Sequence, residues 1–314
     1  MNALIFMVTF LVTVAAYPPF IRRLDAMNQH QSVSDYSLEQ FKTKKKTPTM
    51  GGIVFIVIPL LAAFLVHPTS FFDLRMAVVY LTFAGYGLIG FLDDYIIVIK
   101  KDNAGLKPSH KFLAQLILAV GVYLIYRSFA DSSIVIPVID QTLELGWIYV
   151  GLVFFMFTGA SNAVNLTDGM DGLAGGTVWI AIFGFWLINH DVNLILGHFM
   201  LMVLGSLAGY LVYNLYPAKI IMGDTGSLAL GALLAVIAMV MKQEVLLIII
   251  GIVFVVETVC VILQIGSVKL FKRRIFRYTP IHYSFTLSGW KEKRVVALFW
   301  AVGLAGLLLG LWLA

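Results

Sequence analysis

The sequence predicts an all-α polytopic membrane protein. It has about ten transmembrane helices, both termini on the extracytoplasmic side, and a small β-hairpin on the outer face. Three observations carry this reading. Hydrophobic residues make up 60% of the chain and charged residues 12%, against roughly 45–50% and about 25% in soluble domains. The apolar residues gather in ten stretches, most of them near the roughly 20 residues that a spanning helix needs. Lysines and arginines gather between alternate stretches, so that one face becomes strongly basic. The 314 residues read as one integral-membrane domain, 1–314, with short loops.

The stretches follow in order. The first, 1–22, has no basic residues before its apolar run, and Arg22-Arg23 follow it. That is the pattern of a spanning helix, not of a cleaved signal. The second, 52–67, is short. The third, 74–99, carries Asp93-Asp94 near its end, and the fourth covers 110–128. The loop 129–146 then alternates through Ile134-Val135-Ile136-Pro137, turns at Ile139-Asp140-Gln141, and alternates again through Thr142-Leu143-Glu144-Leu145. Alternation around a turn predicts the hairpin. Stretches 146–163, 172–189, 194–213, 226–241, 244–268 and 294–314 complete the ten.

Of the 22 lysines and arginines, nineteen fall on one side of this arrangement. The other side holds Arg75, Arg127 and Lys242. The basic face is cytoplasmic by the positive-inside rule, which sends both termini outward. The formal net charge of +5 therefore reflects membrane-flanking residues, and no nucleic-acid partner is expected. Cys260 is the single cysteine, which excludes an intrachain disulfide. On the same cytoplasmic face fall Asp93-Asp94, the loop 165–172, the loop around Asp224 and the long polar segment 269–293.

Carboxylates at bilayer depth cost about 2.5–3.5 kcal/mol each, so they mark functional positions or the water boundary. Asn165-x-x-Asp168-x-x-Asp171 spaces three polar side chains along one expected helix face. An EF-hand is excluded, because its loop needs oxygen ligands at alternate positions and a closing glutamate. Gly223-Asp224-Thr225-Gly226-Ser227 opens the eighth stretch. Alone it reads as a helix cap; beside two other acidic loops it reads as a ligand or anion site. It is not a Walker loop, for no lysine follows. Asp93 and Asp94, being adjacent, point to different faces and so take different roles. Clustered carboxylates favour Mg2+, which uses oxygen ligands and substrate phosphates; no His/Cys set has zinc spacing. Glu257 is the one acid deep in a span, either a relay or a paired structural group. His282, in Pro280-Ile281-His282-Tyr283, sits in a basic loop suited to phosphate. These features point to a membrane enzyme of phosphate chemistry.

Several of these segments carry a family resemblance. They are Lys46-Thr47-Pro48-Thr49-Met50-Gly51-Gly52, Gly90-Phe91-Leu92-Asp93-Asp94-Tyr95, Asn162-Ala163-Val164-Asn165-Leu166-Thr167-Asp168-Gly169, Met222-Gly223-Asp224-Thr225-Gly226-Ser227, Glu257-Thr258 with Ile262-Leu263-Gln264, and Pro280-Ile281-His282. In them the chain resembles the phospho-N-acetylmuramoyl-pentapeptide transferases, the MraY family of the polyprenyl-phosphate N-acetylhexosamine-1-phosphate transferases. The motifs run from about residue 41 to 300. The resemblance implies ten spans, cytoplasmic catalytic loops, a Mg2+ cofactor and a homodimer in the bacterial cytoplasmic membrane. The implied reaction moves phospho-MurNAc-pentapeptide from UDP-MurNAc-pentapeptide to undecaprenyl phosphate, giving lipid I and UMP.

The resemblance also implies roles. Asp224 becomes the magnesium ligand, and Asp93 the candidate base toward the lipid phosphate, with Asp94 beside it. Asn165, Asp168 and Asp171 line the nucleotide and pyrophosphate site. His282 and Lys111 contact phosphates or substrate, and Gln264 is a substrate contact near the broken ninth helix. That ninth span is expected to bend and open a groove for the polyprenyl chain. The catalytic lysine precedes the Thr-Pro-Thr-Met-Gly-Gly motif; an ungapped offset places it at Lys44, with Lys45 and Lys46 adjoining. One departure stands out. Where the family has three consecutive histidines, this chain has His282, Tyr283 and Ser284. Two other readings compete. One is GlcNAc-1-phosphate transfer to a polyprenyl phosphate; the other is a secondary transporter, which would carry midplane acids and internal symmetry.

Overall fold

A computed structural model describes residues 1–27, 47–100, 105–139, 141–189 and 193–314. It is mostly helical, with one two-stranded sheet. Eight helices among the described residues are long and apolar enough to cross a membrane. They are α1 (Asn2–Ala26), α3 (Leu74–Lys100), α4 (Pro108–Tyr126), α5 (Ile148–Thr167), α7 (Leu194–Asn214), α8 (Gly223–Val240), α10 (Ile252–Phe271) and α12 (Glu292–Leu313). The expected second and sixth spans are the shorter apolar helices α2 (Gly52–Val66) and α6 (Leu173–Asn189). At 15 residues, α2 is about 22 Å long, less than the ~30 Å hydrocarbon layer.

The expected ninth span is in two pieces. A seven-residue helix, α9 (Glu244–Ile250), stops at Gly251, and α10 starts from it. The polar segment before α12 is not all loop either. It contains a short helix, α11 (Ile281–Leu287), with Pro280 as its N-cap. The hairpin pairs β1 (Ser133–Ile136) with β2 (Gln141–Glu144), antiparallel, Ser133 opposite Glu144 and Ile136 opposite Gln141. Each strand ends one residue earlier than the alternation predicts. Pro137 has no N–H for the ladder and opens a 3-10 turn instead.

Helix α8 is the centre of the fold. Every residue from Thr225 to Met239 is buried, so the helix is apolar on all sides, as an enclosed helix must be. Its glycines and alanines let neighbouring backbones come close. Helices α2, α3, α5 and α6 pack around it, and α1 packs on α7 behind them. The consequence for function is geometric. The first residue of α8 is Gly223, so whatever surrounds the start of this helix is held from several sides.

Candidate active site

Four chain segments converge at the start of α8. Gly90 brings α3 there: a Cβ at this position would lie 2.1 Å from the Asp224 carbonyl oxygen. The two helices therefore touch backbone to backbone, and only glycine permits that approach. One turn on, α3 presents Asp93 and Asp94, both buried.

The pair divides its work, as adjacent helix positions should. Both oxygens of Asp94 face the first turn of α8. They accept from the N–H of Asp224 at 3.1 Å, the N–H of Thr225 at 2.9 Å and the Thr225 hydroxyl at 2.6 Å. Gly223, at φ +69°, makes room, since a Cβ there would meet Asp94 Oδ2 at 2.4 Å. This corrects one sequence expectation. The helix N-terminus is an anion site, but its anion is the protein's own Asp94. Helix α3 runs to Lys100, one residue beyond the predicted stretch, so the acid pair lies inside the helix.

Asp93 turns the other way. Its Oδ1 accepts from Leu106 N–H at 2.8 Å, and its Oδ2 lies 3.5 Å from Lys111 Nζ. The same ammonium bonds Asp224 Oδ2, while Asn165 Nδ2 donates to Asp224 Oδ1 at 2.6 Å and to Ser227 Oγ at 3.1 Å. Lys111, Asp93, Asp224 and Asn165 thus form one connected cluster drawn from α4, α3, α8 and α5.

The segment before α2 joins from another side. Ile221 N–H donates to Pro48 O, Gly51 N–H to Ile221 O and Gly52 N–H to Met222 O, at 2.9 to 3.0 Å. The Thr-Pro-Thr-Met-Gly-Gly motif is therefore bonded, backbone to backbone, to the residues just before Asp224. Lys44, with Lys45 and Lys46, lies outside the described residues.

The triplet Asn165, Asp168 and Asp171 does not share a helix face. Helix α5 ends at Thr167 with Asp168 as its C-cap, and Gly172 at φ +79° completes a turn. Asn165 stays in the last helical turn, but Asp171 is turned elsewhere. Its Oδ2 accepts from Ala218 N–H at 2.9 Å, and its own N–H donates to Glu292 at 2.8 Å. Asn214 takes the Gly172 N–H at 2.9 Å. Glu292 and Asn214 brace this turn and escaped the sequence reading; the available signal was a polar residue at the very end of an apolar stretch. Gln264 is likewise engaged with backbone. Its oxygen accepts from Ile275 and Phe276 N–H, and its amide donates to Phe276 O, each at 3.0 Å. It fastens the 275–276 loop to α10.

His282 sits in the first turn of α11 and is wholly buried. Its Nδ1 lies 2.8 Å from Glu257 Oε1, so the deep acid of the ninth span is paired. A Cβ at Gly169 would lie 2.3 Å from His282 Nε2 and 2.6 Å from the Tyr283 hydroxyl. The α11 residues thus border the turn that follows Asn165. Burial pushes the Tyr283 hydroxyl above the ordinary phenol range, so it stays protonated and can donate.

Comparisons with known proteins agree with these motifs. The glycosyl transferase family 4 profile matches residues 76–242. The phospho-N-acetylmuramoyl-pentapeptide-transferase signature 1 matches residues 44–56. Proteins named phospho-N-acetylmuramoyl-pentapeptide-transferase from Bacillus mycoides (strain KBAB4) and Bacillus thuringiensis (strain Al Hakam) are each 45% identical to it, over 98% of this chain and 97% of theirs. With the acid cluster assembled from those same motifs, the chain belongs to the phospho-N-acetylmuramoyl-pentapeptide-transferase family.

Proposed function

We infer that this chain transfers phospho-MurNAc-pentapeptide from UDP-MurNAc-pentapeptide to undecaprenyl phosphate, with lipid I and UMP as products. The observation that carries this is the similarity to enzymes of that name across 98% of the chain. An oxygen of the lipid phosphate forms a bond to the sugar-bearing phosphorus, and the bond from that phosphorus to UMP breaks. Asp93, beside Lys111, faces the incoming lipid phosphate as its base. Asn165 orients the Asp224 carboxylate through its 2.6 Å bond, and Asp94 holds the whole start of α8 in place. Asp168 borders the nucleotide, Asp171 braces the turn beside it, Gln264 holds the 275–276 loop to α10, and His282 meets a phosphoryl oxygen. Lys44, with Lys45 and Lys46 adjoining, is the catalytic lysine that the family resemblance implies.

The cluster fits Mg2+. The Lys111 ammonium bonds Asp224 and lies 3.5 Å from Asp93, which marks a point where two carboxylates turn toward one cation. Among the described residues no group of three or more His, Cys, Asp or Glu converges on a metal position. Mg2+ needs only one or two protein carboxylates when substrate phosphates complete its shell. Asp224 is the ligand we assign. When bound, the ion neutralises charge that develops on the phosphoryl oxygens.

The family resemblance supports the finer placement: one domain, ten spans with α2 and α6 counted, both termini outside, and a homodimer in the bacterial cytoplasmic membrane. The active site then faces the cytoplasm. Single cysteines at 170 and 286, in a Cys260→Ala background, should resist an impermeant thiol reagent applied to intact cells; labelling of either from outside would overturn the orientation.

UMP release from UDP-MurNAc-pentapeptide tests the reaction. The purified enzyme should release UMP when undecaprenyl phosphate is present, and not from UDP-GlcNAc. Turnover of UDP-GlcNAc alone would move the chain to the GlcNAc-1-phosphate branch of the superfamily.

A further inference from the structure

The pairing of Glu257 with the α11 helix holds more than a buried charge. Both residues are fully buried, and the carboxylate is used at both oxygens. Oε2 accepts from Ile281 N–H at 2.8 Å and Oε1 faces His282 Nδ1 at 2.8 Å. An ionised carboxylate only accepts, so the proton of the second bond sits on Nδ1. The other ring nitrogen, Nε2, is buried and has no partner in the structure. It lies close against Gly169, where a Cβ would come within 2.3 Å of it. Gly169 follows Asp168 directly and lies four residues beyond Asn165. A buried nitrogen without a partner is costly, and this one adjoins the turn that follows Asn165.

We propose that Glu257 is a positioning residue that keeps the His282 proton on Nδ1 and aims Nε2 at the substrate beside Gly169. The inference rests on the reading of His282 as part of the site. When the ring also gains a proton at Nε2, Glu257 offsets the charge. Nε2–H is then a charge-assisted donor suited to a phosphoryl oxygen of the nucleotide diphosphate. Which nitrogen carries the proton is set by the bond that the other one makes.

Glu257→Gln tests this without changing shape. Ile281 N–H can only donate, so the glutamine carbonyl must face it. The amide NH2 then faces His282 Nδ1, which has to accept, and the ring proton moves to Nε2. Nε2–H can still donate, but without the carboxylate the ring no longer holds a second proton, and its bond to the phosphoryl oxygen loses its charge assistance. The expected result is a loss of about tenfold in kcat, the difference between a charged and a neutral hydrogen bond, with the nucleotide KM within about threefold. Nitrogen-15 spectra of histidine-labelled enzyme, with the His282 signals assigned by their loss in His282→Ala, should show the proton moving from Nδ1 to Nε2. Glu257→Gln should cost nothing further in a His282→Ala background.

Near-normal turnover of Glu257→Gln beside an inactive His282→Ala would overturn the proposal. So would an equal loss from Glu257→Gln in both backgrounds. If Glu257→Gln does not fold, the wild-type spectrum decides: a neutral His282 with its proton on Nε2 overturns the proposal, and one on Nδ1 supports it. A fully active His282→Ala is a different failure, for it removes His282 from the site and the proposal with it.

Discussion

Helix α8 carries a lysine–carboxylate cluster at each end. Its 18 residues place them about 27 Å apart. At the far end, Lys242 donates to the Asp131 carboxylate, to Asp131 O at 2.7 Å and to Ser133 O at 3.0 Å. It also lies 5.5 and 5.4 Å from the ring centroids of Tyr126 and Tyr149. Tyr149 in turn donates to Glu244. The Asp131 side chain is 64% exposed, so water shares its charge, and one lysine meets it. At the near end, among the described residues, Lys111 meets Asp93 and Asp224, and Asp94 lies beside them, with Asp93 and Asp94 each only 6% exposed. Asp94 is offset by the α8 N-terminus, which leaves two carboxylates to one ammonium among the described residues. The residue types are the same. The exposed Asp131–Lys242 pair ties the hairpin to α8, and the buried Glu244 beside it is held by the Tyr149 hydroxyl. Among the described residues the near-end cluster keeps surplus negative charge, which a further cation would offset.

The far-end pair also has a pH signature. Hydrogen bonds from Lys242, then from Ser133, hold Asp131 down at about 2. The folded value lies below the unfolded one, so the stabilisation is complete above the ordinary carboxylate range and disappears as the pH falls through about 2. For an exposed pair it is small.

Substitutions at the two ends should separate them, and the largest effect belongs to the near end. Asp224→Asn should lower turnover by at least about a thousandfold without unfolding the enzyme, since a bound metal stabilises phosphoryl charge by several kcal/mol. Turnover within about tenfold of wild type would return Asp224 to a plain helix-start residue. His282→Ala should lose about a hundredfold, the scale of one hydrogen bond to a charged group. Tyr283→Phe and Ser284→Ala should each stay within about tenfold, because a neutral hydrogen bond contributes only about 0.5–1.5 kcal/mol. If either matched the His282→Ala loss, the two positions where the family has histidine would carry chemistry here as well.

Smaller effects follow. A Cβ at Gly266 on α10 would meet nothing within 4 Å, so Gly266→Leu should fold normally. It should raise the lipid KM about fivefold and leave the nucleotide KM unchanged; equal changes in both would argue against a lipid groove along α10. Lys242→Met should leave turnover within about twofold and lower Tm by at most a few degrees, as expected for a partly exposed ion pair. A large loss of turnover from Lys242→Met would break the comparison from its other side.

Much of this was legible in the sequence because it is local. The apolar stretches gave the helices, and the alternation around Ile139 gave the hairpin to within one residue. The motifs gave the family. What escaped was decided over distance or by single glycines. Asp94 meets Thr225 across 131 positions, and nothing near either residue announces that the acid caps α8. Glu257 pairs with His282 across 25 positions, and the sequence alone left the acid between a relay and a structural role. The spacing of Asn165, Asp168 and Asp171 fits a helix, yet the helix ends at Thr167 and the chain turns through Gly172 at φ +79°. Gln264 reads as a ligand contact from its motif, but the loop that folds back onto it takes its oxygen and an amide hydrogen.

The central claim is that the near-end cluster, and not the far-end one, holds a divalent cation. Manganese accepts the same oxygen ligands as magnesium and is visible by paramagnetic resonance. Titrated into wild type, Asp224→Asn and Lys242→Met enzyme with UDP-MurNAc-pentapeptide present, it should occupy one magnesium-displaceable site in wild type and Lys242→Met, and none in Asp224→Asn. Equal binding to the wild-type and Asp224→Asn proteins, or loss of the site in Lys242→Met, would contradict the account.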